Sequence, residues 1–307
     1  METDAAHALI RFGLGRKGNE PLPSDPRGWA LAQLGGDDPG PAGMASTEDG
    51  LRALHADREQ KLQGDDRKVP PLARENSRLL VMHAVNTAKP FRERLVWFWT
   101  NHFTVSIRQG GTNAVAAAFM QEAIRPHVTG RFGDMLLAVM RHPAMLMYLD
   151  NTGSIGPNSL AGLRQHSGLN ENLARECMEL HTLSPAAGYT QGDVTSFAKL
   201  VTGWSVDLKS DPPGFRFRPA TNEPFDQTVL GIASLPASGA GLKRWPSSRR
   251  IPQPIVFWRL SWSVTLWPII RLPARSRRSP KSCTAAAATS ALRRGRWSHC
   301  RKPGPIR

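Results

Sequence analysis

Residues 168–204 contain most of the polar side chains whose types could do chemistry. Glu176, Glu179 and His181 lie in one predicted helix of this stretch, and His102 ends an earlier predicted helix. Zinc, iron and manganese bind carboxylates and imidazoles, which are also common general acids and bases. One hypothesis is therefore an enzyme, a metal-assisted hydrolase, in which these four residues are the catalytic groups and a divalent metal is the cofactor.

The spacing of these residues argues against a shared metal site. Glu176 and His181 are five positions apart, and Glu179 and His181 are two apart. Metal-binding helices place their ligands three or four positions apart, so that both side chains lie on one face. Arg175 lies four positions after Glu171 and four before Glu179, which is the spacing of helical ion pairs. The spacing favours a polar face that is solvated or internally paired.

The enzymatic hypothesis also names candidate substrate-binding residues, which are Arg94, Asn101, Asn170 and Arg175. Asn170 is in addition a suitable N-cap for the helix that follows it. The alternative hypothesis is a non-catalytic helical scaffold or partner protein, in which the polar stripe is an internal ion-pair network that fixes helix packing. Both classes of function are open at this point, and neither the substrate nor the metal follows from the residues.

Helical periodicity extends over most of the chain that positions these residues. It predicts about nine helices, and no alternation typical of a strand appears before Phe215. The helix beginning at Pro90 is apolar enough to be buried on most of its circumference, whereas residues 150–167 are expected to be loop. An α-helical register places Leu180 in the same apolar row as Cys177. The predicted fold is an all-α, multi-helix globular domain.

Capping residues mark two helix starts within that domain. Ser46 with Asp49, and Thr190 with Asp193, fit the capping box, in which two side chains and two backbone amides bond reciprocally. Residues 13–18 match the spacing GxGxxG of dinucleotide-binding loops. That motif needs a strand before it and a helix opening from it, and neither is predicted here, so the segment is interpreted as a turn.

The charge of the chain is divided sharply along its length. The 307 residues have a formal net charge of +15. Residues 1–231 contain 24 Lys and Arg against 25 Asp and Glu, whereas residues 232–307 contain 16 Lys and Arg and no acidic residue. The net positive charge therefore comes entirely from residues 232–307. It therefore gives no reason to expect that the helical domain itself binds nucleic acid or an anionic membrane.

The composition of residues 232–307 is unusual for a soluble fold. This segment contains five of the nine tryptophans and is dense in Arg, Pro and Ser. Such a composition is typical of a GC-rich coding region read out of frame. We therefore expect a frameshift near residues 231–241, which makes residues 1–231 a truncated helical domain and the remainder a poorly ordered tail. The truncated domain would expose apolar surface and be poorly soluble.

Two functional interpretations of the tail compete with the frameshift. Basic clusters with interleaved tryptophans could bind nucleic acid or anionic lipid. The apolar run at residues 254–270 could enter a membrane, but it is shorter than the roughly 20 residues of a spanning helix and contains Arg259 and Pro268. We favour neither a nucleic-acid partner nor a membrane.

Cysteine usage and the start of the chain bear on its compartment. Cys177, Cys283 and Cys300 form no CxxC pair, and three cysteines do not indicate a disulfide framework. The first residues show no secretory signal as written, so the default expectation is cytoplasmic, with export still open if the true start differs.

Several motifs occur together in the order found in one bacterial family. They are RFGLG at residues 11–15, FRERLVWFWTNHF at 91–103, the turn at Asp150-Asn151, and NENLARECMELHTL, GYTQGDV and LVTGW within 170–204. Over about residues 5–231 the chain resembles the family called domain of unknown function 1800. The resemblance implies a helical bacterial protein with no established activity, often encoded beside a sulfatase-related protein that is a candidate partner. This chain departs from the family at Ser184-Pro185, where a Gly-Val turn is usual, and again after Gly231.

Overall fold

The computed structural model describes residues 2–165 and 168–234, and the chain in these ranges is mostly helical. This confirms the predicted fold class. The described ranges contain eleven α-helices rather than about nine. They are α1 (Glu2–Arg11), α2 (Pro26–Ala32), α3 (Thr47–Glu59), α4 (Val69–Asn86), α5 (Pro90–His102), α6 (Ala116–Phe119), α7 (Phe132–Arg141), α8 (Pro143–Tyr148), α9 (Leu160–Gln165), α10 (Asn172–Glu176) and α11 (Gln191–Leu200).

Two helices continue directly into π-helical segments, in which each amide bonds to a carbonyl five residues earlier. The segment Met120–Ile124 follows α6, and the segment Cys177–Thr182 follows α10. Such segments are rare and occur often at functional sites.

Four short strands form two antiparallel hairpins, which the periodicity did not predict. Strand β1 (Trp204–Asp207) pairs with β2 (Gly214–Phe217), and β3 (Gln227–Val229) pairs with β4 (Ile232–Ser234). Strand β1 begins before Phe215, so the expectation of no strand in that region was wrong. Strands of three or four residues are too short for an alternating pattern to show against the helical background.

The core lies around α7 and α8. The methionines that the sequence pattern assigned to the core are almost fully buried there, and they pack with side chains from α3, α5, α10 and α11. The largest buried side chains are Leu51, Phe103, Phe119, Ile124, Met135, Leu136, Met140, Met145, Leu146, Leu173, Met178 and Phe197. A core of this kind buries the face of each helix that carries the apolar periodicity.

The predicted capping boxes are both formed. Ser46 accepts from the amide of Asp49, whose carboxylate accepts from the amide of Ser46, and Thr190 and Asp193 repeat this exchange at the start of α11. Asp193 also accepts from the amide of Leu230 at 2.7 Å, which fastens the β3–β4 turn to α11. Each box satisfies amides that a helix start leaves unbonded.

Two expectations about individual elements need correction. Residues 150–167 contain α9, which the pattern missed because its leucines face outward. In α5 the buried residues include Arg92 and Glu93, whereas Trp97 and Phe98 are 44% and 56% exposed, so this helix is not buried on most of its circumference. The number of apolar residues in a helix does not show which side faces the core, because charged residues can also be buried when they form ion pairs inside the protein.

The tail hypotheses concern residues outside the described ranges. Residues 235–307, with the apolar run 254–270 and two of the three cysteines, are not described, and the third, Cys177, is a buried free thiol. Within the described ranges, no helix combines the length and the hydropathy that crossing a bilayer requires.

Candidate functional site

The π-helical segment after α10 changes which residues of the central motif face the core. Thr182 Oγ1 donates to the carbonyl of Cys177 at 2.6 Å, and the amide of Leu183 donates to the carbonyl of Met178 at 2.8 Å. Both bonds span five residues, so the side chains beyond Cys177 are rotated relative to an α-helix. Leu180, placed in the buried row by the α-helical pattern, is therefore 60% exposed, and His181 is buried instead.

His102 and His181, two of the candidate catalytic residues, are brought together. His102 Nε2 lies 3.1 Å from the backbone carbonyl of His181, and the two ring centroids are 6.0 Å apart. Because a carbonyl only accepts, the hydrogen of the neutral His102 ring is assigned to Nε2. Phe103 contacts both imidazoles, at centroid distances of 4.6 and 5.2 Å, so the histidines form part of an aromatic cluster with Trp99.

Burial keeps both imidazoles neutral. It lowers the pKa of His181 to about 4, with a smaller contribution from the nearby His102. Burial also lowers the pKa of His102, against the opposing effect of its bond to the His181 carbonyl. The Nδ1 atom of His181 is buried and has no hydrogen-bond partner among the described residues. A neutral imidazole of this kind can accept a proton or bind a metal, but it is not poised to titrate near pH 7.

Glu176 and Glu179 form a second, separate part of the candidate site. Both side chains are partly exposed, and burial followed by the charge of Glu179 raises the pKa of Glu176, with Arg175 opposing. Burial and Glu179 also raise the pKa of Tyr189. Among the described residues no hydrogen bond or ion pair joins either glutamate to His102 or His181. The four candidate catalytic residues therefore form two pairs.

Arg175 belongs to a group that joins α10 to α11, which we call the polar network: Glu171, Arg175, Gln191 and Thr195. Glu171 accepts from Arg175 Nη2 at 2.9 Å, from Gln191 Nε2 at 2.8 Å and from Thr195 Oγ1 at 2.6 Å. The bond from Thr195 is the largest contribution to the lowered pKa of Glu171. The expected ion pair of Arg175 with Glu171 is formed, but the guanidinium turns to Gln191 Oε1, at 3.1 Å, rather than to Glu179.

Among the described residues, the side chains of the other three candidate substrate-binding residues form no hydrogen bond with His102 or His181, although Asn101 directly precedes His102 in α5. Arg94 Nη1 donates to the carbonyls of Ile10 and Gly13, so it holds the end of α1. Asn101 is an exposed residue whose carbonyl accepts from Thr104.

Asn170 has a structural position before α10. Its Oδ1 accepts from the amide of Asn172 at 2.8 Å, although the N-cap of α10 is Glu171, one residue later than expected. Its Nδ2 donates to the carbonyl of Asp150 at 3.2 Å, so the side chain ties the start of α10 to the Asp150-Asn151 turn.

A buried group that the sequence did not reveal lies at α5, and we call it the charge cluster: Asp38, His83, Arg92, Glu93 and Arg125. Arg125 Nη1 lies 3.0 Å from Asp38 Oδ2 and 2.7 Å from Glu93 Oε2. Arg92 Nε donates to the same Asp38 oxygen at 2.9 Å, and His83 Nε2 lies 3.3 Å from Glu93. The contact between Arg125 and Glu93 is an ion pair and not a well-aligned hydrogen bond.

Four of the five side chains of the charge cluster are almost completely removed from solvent, and His83 is 18% exposed. The side chains of Glu93, Arg125, Arg92 and Asp38 are 1%, 2%, 8% and 8% exposed. Burial opposes ionisation of Asp38, but the charge of Arg125 and its hydrogen bond, followed by Arg92, lower the pKa of Asp38 overall. Gly40 completes the enclosure, since a Cβ there would lie 2.3 Å from Gln121 Oε1. A charged pair inside an otherwise apolar helix, Arg92-Glu93, was the signal that could have indicated it.

The candidate ligands do not assemble into a cation site. Among residues 2–165 and 168–234, no group of three or more His, Cys, Asp and Glu side chains has a geometry that could hold a metal ion. The pairs His102–His181 and Glu176–Glu179 each bring together only two of the candidate ligand residues.

Residues 13–18 form a turn between α1 and α2, as the sequence indicated. Gly15 and Gly18 have φ values of +94° and +46°, and the segment is preceded by α1 and not by a strand. The dinucleotide-binding interpretation therefore lacks its structural context.

Comparison with known protein families gives one match. The family described as "Protein of unknown function (DUF1800)" matches residues 7–244, which is more than half of the 307 residues. Comparison with the curated proteins and with the solved structures found no match. The match covers the end of α1, α5, the Asp150-Asn151 turn, α10 and α11, which carry the shared motifs. The chain belongs to the DUF1800 family.

Proposed function

We propose that this domain is a non-catalytic helical partner protein that binds an apolar segment of another polypeptide. The observation that supports this is an apolar groove between α1, α2, α4 and α5, with a volume of about 370 Å³. It is lined mainly by Leu9, Leu14, Trp29, Val81, Ala84, Val85, Pro90 and Trp97. Val81 and Val85 are 62% and 56% exposed there, and such a concentration of exposed apolar side chains marks interaction sites in soluble proteins.

The arrangement of polar side chains supports a scaffold role as well. The polar network bonds α10 to α11, the Asp193 carboxylate holds the β3–β4 turn, and the charge cluster joins α4 and α5 to the segments around Asp38 and Arg125. Each of these groups connects elements that are distant in sequence. Fixed helix positions reduce the ordering cost of binding, because the groove is formed before the partner arrives.

The proposal commits to one occupant, the product of the neighbouring sulfatase-related gene that the family resemblance implies. Co-expression followed by size-exclusion chromatography tests it. Val81→Asp combined with Val85→Asp should abolish a complex by placing charge in the groove. Leu160→Asp combined with Leu163→Asp is the matched control, since those leucines are 66% and 65% exposed on α9 and lie outside the groove.

Two results would contradict the partner proposal. One is co-elution that is equally strong with the groove variant and with the control variant. The other is unfolding of an intact relative by the same groove substitutions, because the groove would then be covered by the chain's own continuation and not by a partner.

A metal-assisted hydrolase is the second candidate, and the raised pKa of Glu176 beside Glu179 is the observation in its favour. A carboxylic acid with a raised pKa can act as a general acid or base, and altered pKa values concentrate at active sites. Elemental analysis of an intact relative, followed by Glu176→Ala, separates the two functions. Bound metal that is lost in Glu176→Ala supports the hydrolase, whereas a metal-free protein that loses only stability supports the scaffold.

The division of the chain at residue 231 is also a proposal. The absence of acidic residues from residues 232–307 supports a frameshift near residues 231–241, and the family match ends shortly after, at residue 244. Resequencing the locus tests this proposal. The expected result is an alternative frame that encodes further helices with acidic residues, and an alternative frame without them would contradict it.

A further inference from the structure

A second cavity, of about 410 Å³, lies between the end of α3 and the β1–β2 hairpin. It is lined by Arg58, Gly110, Met147, Asp150, Thr152, Val206, Leu208 and Arg218. Its volume falls within the range of small-molecule sites, and its walls come from segments far apart in the sequence. We propose that this cavity binds a small organic anion through Arg58 and Arg218. The anion is a carboxylate or a phosphate ester that also carries a hydroxyl group.

The two guanidinium groups are held in place but not neutralised. Arg58 Nη2 donates to the carbonyl of Gly110 at 2.7 Å, and Arg218 Nη2 donates to the carbonyl of Val206 at 3.3 Å. Neither arginine forms a salt bridge with a carboxylate of the described residues. Each backbone bond therefore fixes one nitrogen of the guanidinium and leaves other N–H donors free. Planar guanidinium groups with free donors match the oxygens of carboxylates and phosphates.

A third cation without a carboxylate partner among the described residues, Arg141 at the end of α7, packs against the same hairpin. Arg141 packs over the ring of Phe215 at 4.7 Å, and Phe215 is the cross-strand partner of Val206, which lines the cavity. Burial lowers the pKa of Arg141, and its Nε has no hydrogen-bond partner among the described residues. By contrast, Arg216 on the outer part of the hairpin is paired with Asp207. Positive charge that no described carboxylate neutralises thus lies against the face of the hairpin that carries Phe215 and Val206.

The remaining wall indicates what else the ligand carries. Met147, Val206 and Leu208 give an apolar surface for a short carbon skeleton. Asp150 presents a carboxylate that accepts from Gln109 at 3.3 Å and retains acceptor capacity, so a ligand hydroxyl can donate to it. Asp150 has φ +55°, a conformation that non-glycine residues adopt infrequently and that is concentrated at ligand sites.

Isothermal titration of the full chain at low ionic strength tests the proposal with three probes: inorganic phosphate, glycerol 3-phosphate and malate. We expect at least one of the two hydroxylated anions to bind more tightly than inorganic phosphate. Arg58→Gln and Arg218→Gln should each weaken that binding about tenfold, because each removes a charged hydrogen-bond donor. Preference for glycerol 3-phosphate identifies a phosphate ester, and preference for malate identifies a carboxylate.

Arg164→Gln is the matched control, since Arg164 is an exposed arginine on α9 outside the cavity. It should leave the affinity unchanged. Thermal unfolding of every variant checks that the fold is intact, and Thr152→Val provides a second cavity variant that keeps both cations and should weaken binding by a smaller factor. Binding that is equal in Arg58→Gln, Arg218→Gln and Arg164→Gln would overturn the proposal, as would the absence of saturable binding by all three probes.

Discussion

The charge cluster and the polar network both contain oppositely charged side chains, yet they differ in how deeply these are buried and in how readily the sequence reveals them. Arg125 bridges Asp38 and Glu93 inside the molecule, with side chains that are at most 8% exposed. In the polar network, Arg175 and Glu171 are 40% and 26% exposed at the surface between α10 and α11. The polar network lies in the longest shared motif and attracts functional interpretation, whereas the charge cluster is dispersed over four segments.

Because the charge cluster is more deeply buried, we expect it to contribute more to the free energy of unfolding than the polar network, although the polar network lies in the more recognisable motif. A buried charge whose partner is removed cannot be solvated, and the loss is typically about 3–5 kcal/mol. A partly exposed pair regains water when one partner is lost, and such pairs contribute about 0–1 kcal/mol. We therefore expect substitutions in the charge cluster to lower the free energy of unfolding strongly and substitutions in the polar network to lower it little.

Arg125→Met is the strongest way to test this comparison. It leaves Glu93 and Asp38 buried with fewer opposing charges, and we expect the free energy of unfolding to fall by about 3–5 kcal/mol. Urea unfolding of the full chain, followed by circular dichroism, measures this loss. A change below about 1 kcal/mol would show that water reaches the cluster and that the two regions do not differ in kind.

The double variant Glu93→Met with Arg125→Met sharpens the same prediction. Removing both charges leaves no unpaired ion, so the loss should be clearly smaller than the sum of the two single losses. A strictly additive result would mean that Arg125 and Glu93 do not interact through charge.

The charge cluster should also differ in its pH dependence from the buried histidines beside α10 and α11. His181, which precedes α11, has a folded pKa of about 4 against 6.5 for a free imidazole. Its neutral form is the folded one, so stability is complete above pH 6.5 and is lost as the pH falls toward 4, by at most about 3 kcal/mol. His102 and His142 act in the same direction, because burial lowers the pKa of each. The cluster's Asp38 has a lowered pKa, and its contribution is lost only as the pH falls below about 3.8.

His181→Phe isolates the contribution of this residue. The phenyl ring occupies a similar volume among Phe103 and its neighbours and does not titrate, so the variant's stability should change less between pH 6.5 and 4 than that of the unsubstituted chain. Urea unfolding at several pH values gives the two slopes. Equal slopes of the unfolding free energy against pH would mean that residues other than His181 cause the loss of stability at low pH.

Much of the helical fold was predictable because its signals are local. The capping boxes at Ser46 and Thr190 specify helix starts within four residues, and the methionines of α7 and α8 follow the helical period into the core. Strands β1 and β2 escaped prediction because each has only four residues, too few for an alternating pattern to show. Helix α9 escaped because Leu160 and Leu163 point outward.

The candidate site was only partly predictable because the residue types do not indicate where an α-helix changes to a π-helix. The sequence spacing placed Leu180 in a buried row of an α-helix, whereas the π-helical segment leaves Leu180 exposed and His181 buried beside His102. Only the charged pair Arg92-Glu93 in an apolar helix signalled the charge cluster, because Asp38, Glu93 and Arg125 meet only after three separate segments have packed. Motif analysis therefore located His181 and Arg175 but not the buried charges.

Backbone strain is found in the turn between α10 and α11, the two helices that the polar network joins. Ser184 has φ +67° and ψ 159°, a region that is essentially limited to glycine and costs about 1–3 kcal/mol. Glycine is the residue that the family resemblance implies at this turn. Ser184→Gly should stabilise the chain by about 1 kcal/mol, because relief of strain exceeds the extra entropy of the unfolded state. Thermal unfolding measures the gain.

Ser196→Gly is the matched control for that substitution, since Ser196 lies within α11. Glycine in a helix interior should destabilise the chain by about 0.5–1 kcal/mol, so the two serine substitutions are expected to have opposite signs. Destabilisation by both would show that Ser184 is not strained.

The smallest expected effect belongs to Arg175→Met, and it completes the comparison. Glu171 keeps the donors Gln191 and Thr195 after the guanidinium is lost, at 2.8 and 2.6 Å, so no carboxylate oxygen is left both buried and unbonded. We expect a loss of about 0.3–0.5 kcal/mol, reduced further by salt. Urea unfolding at low and high ionic strength measures it. A loss above about 2 kcal/mol would mean that the surface motif and the buried cluster carry comparable weight, and that Arg175 does more than pair with Glu171.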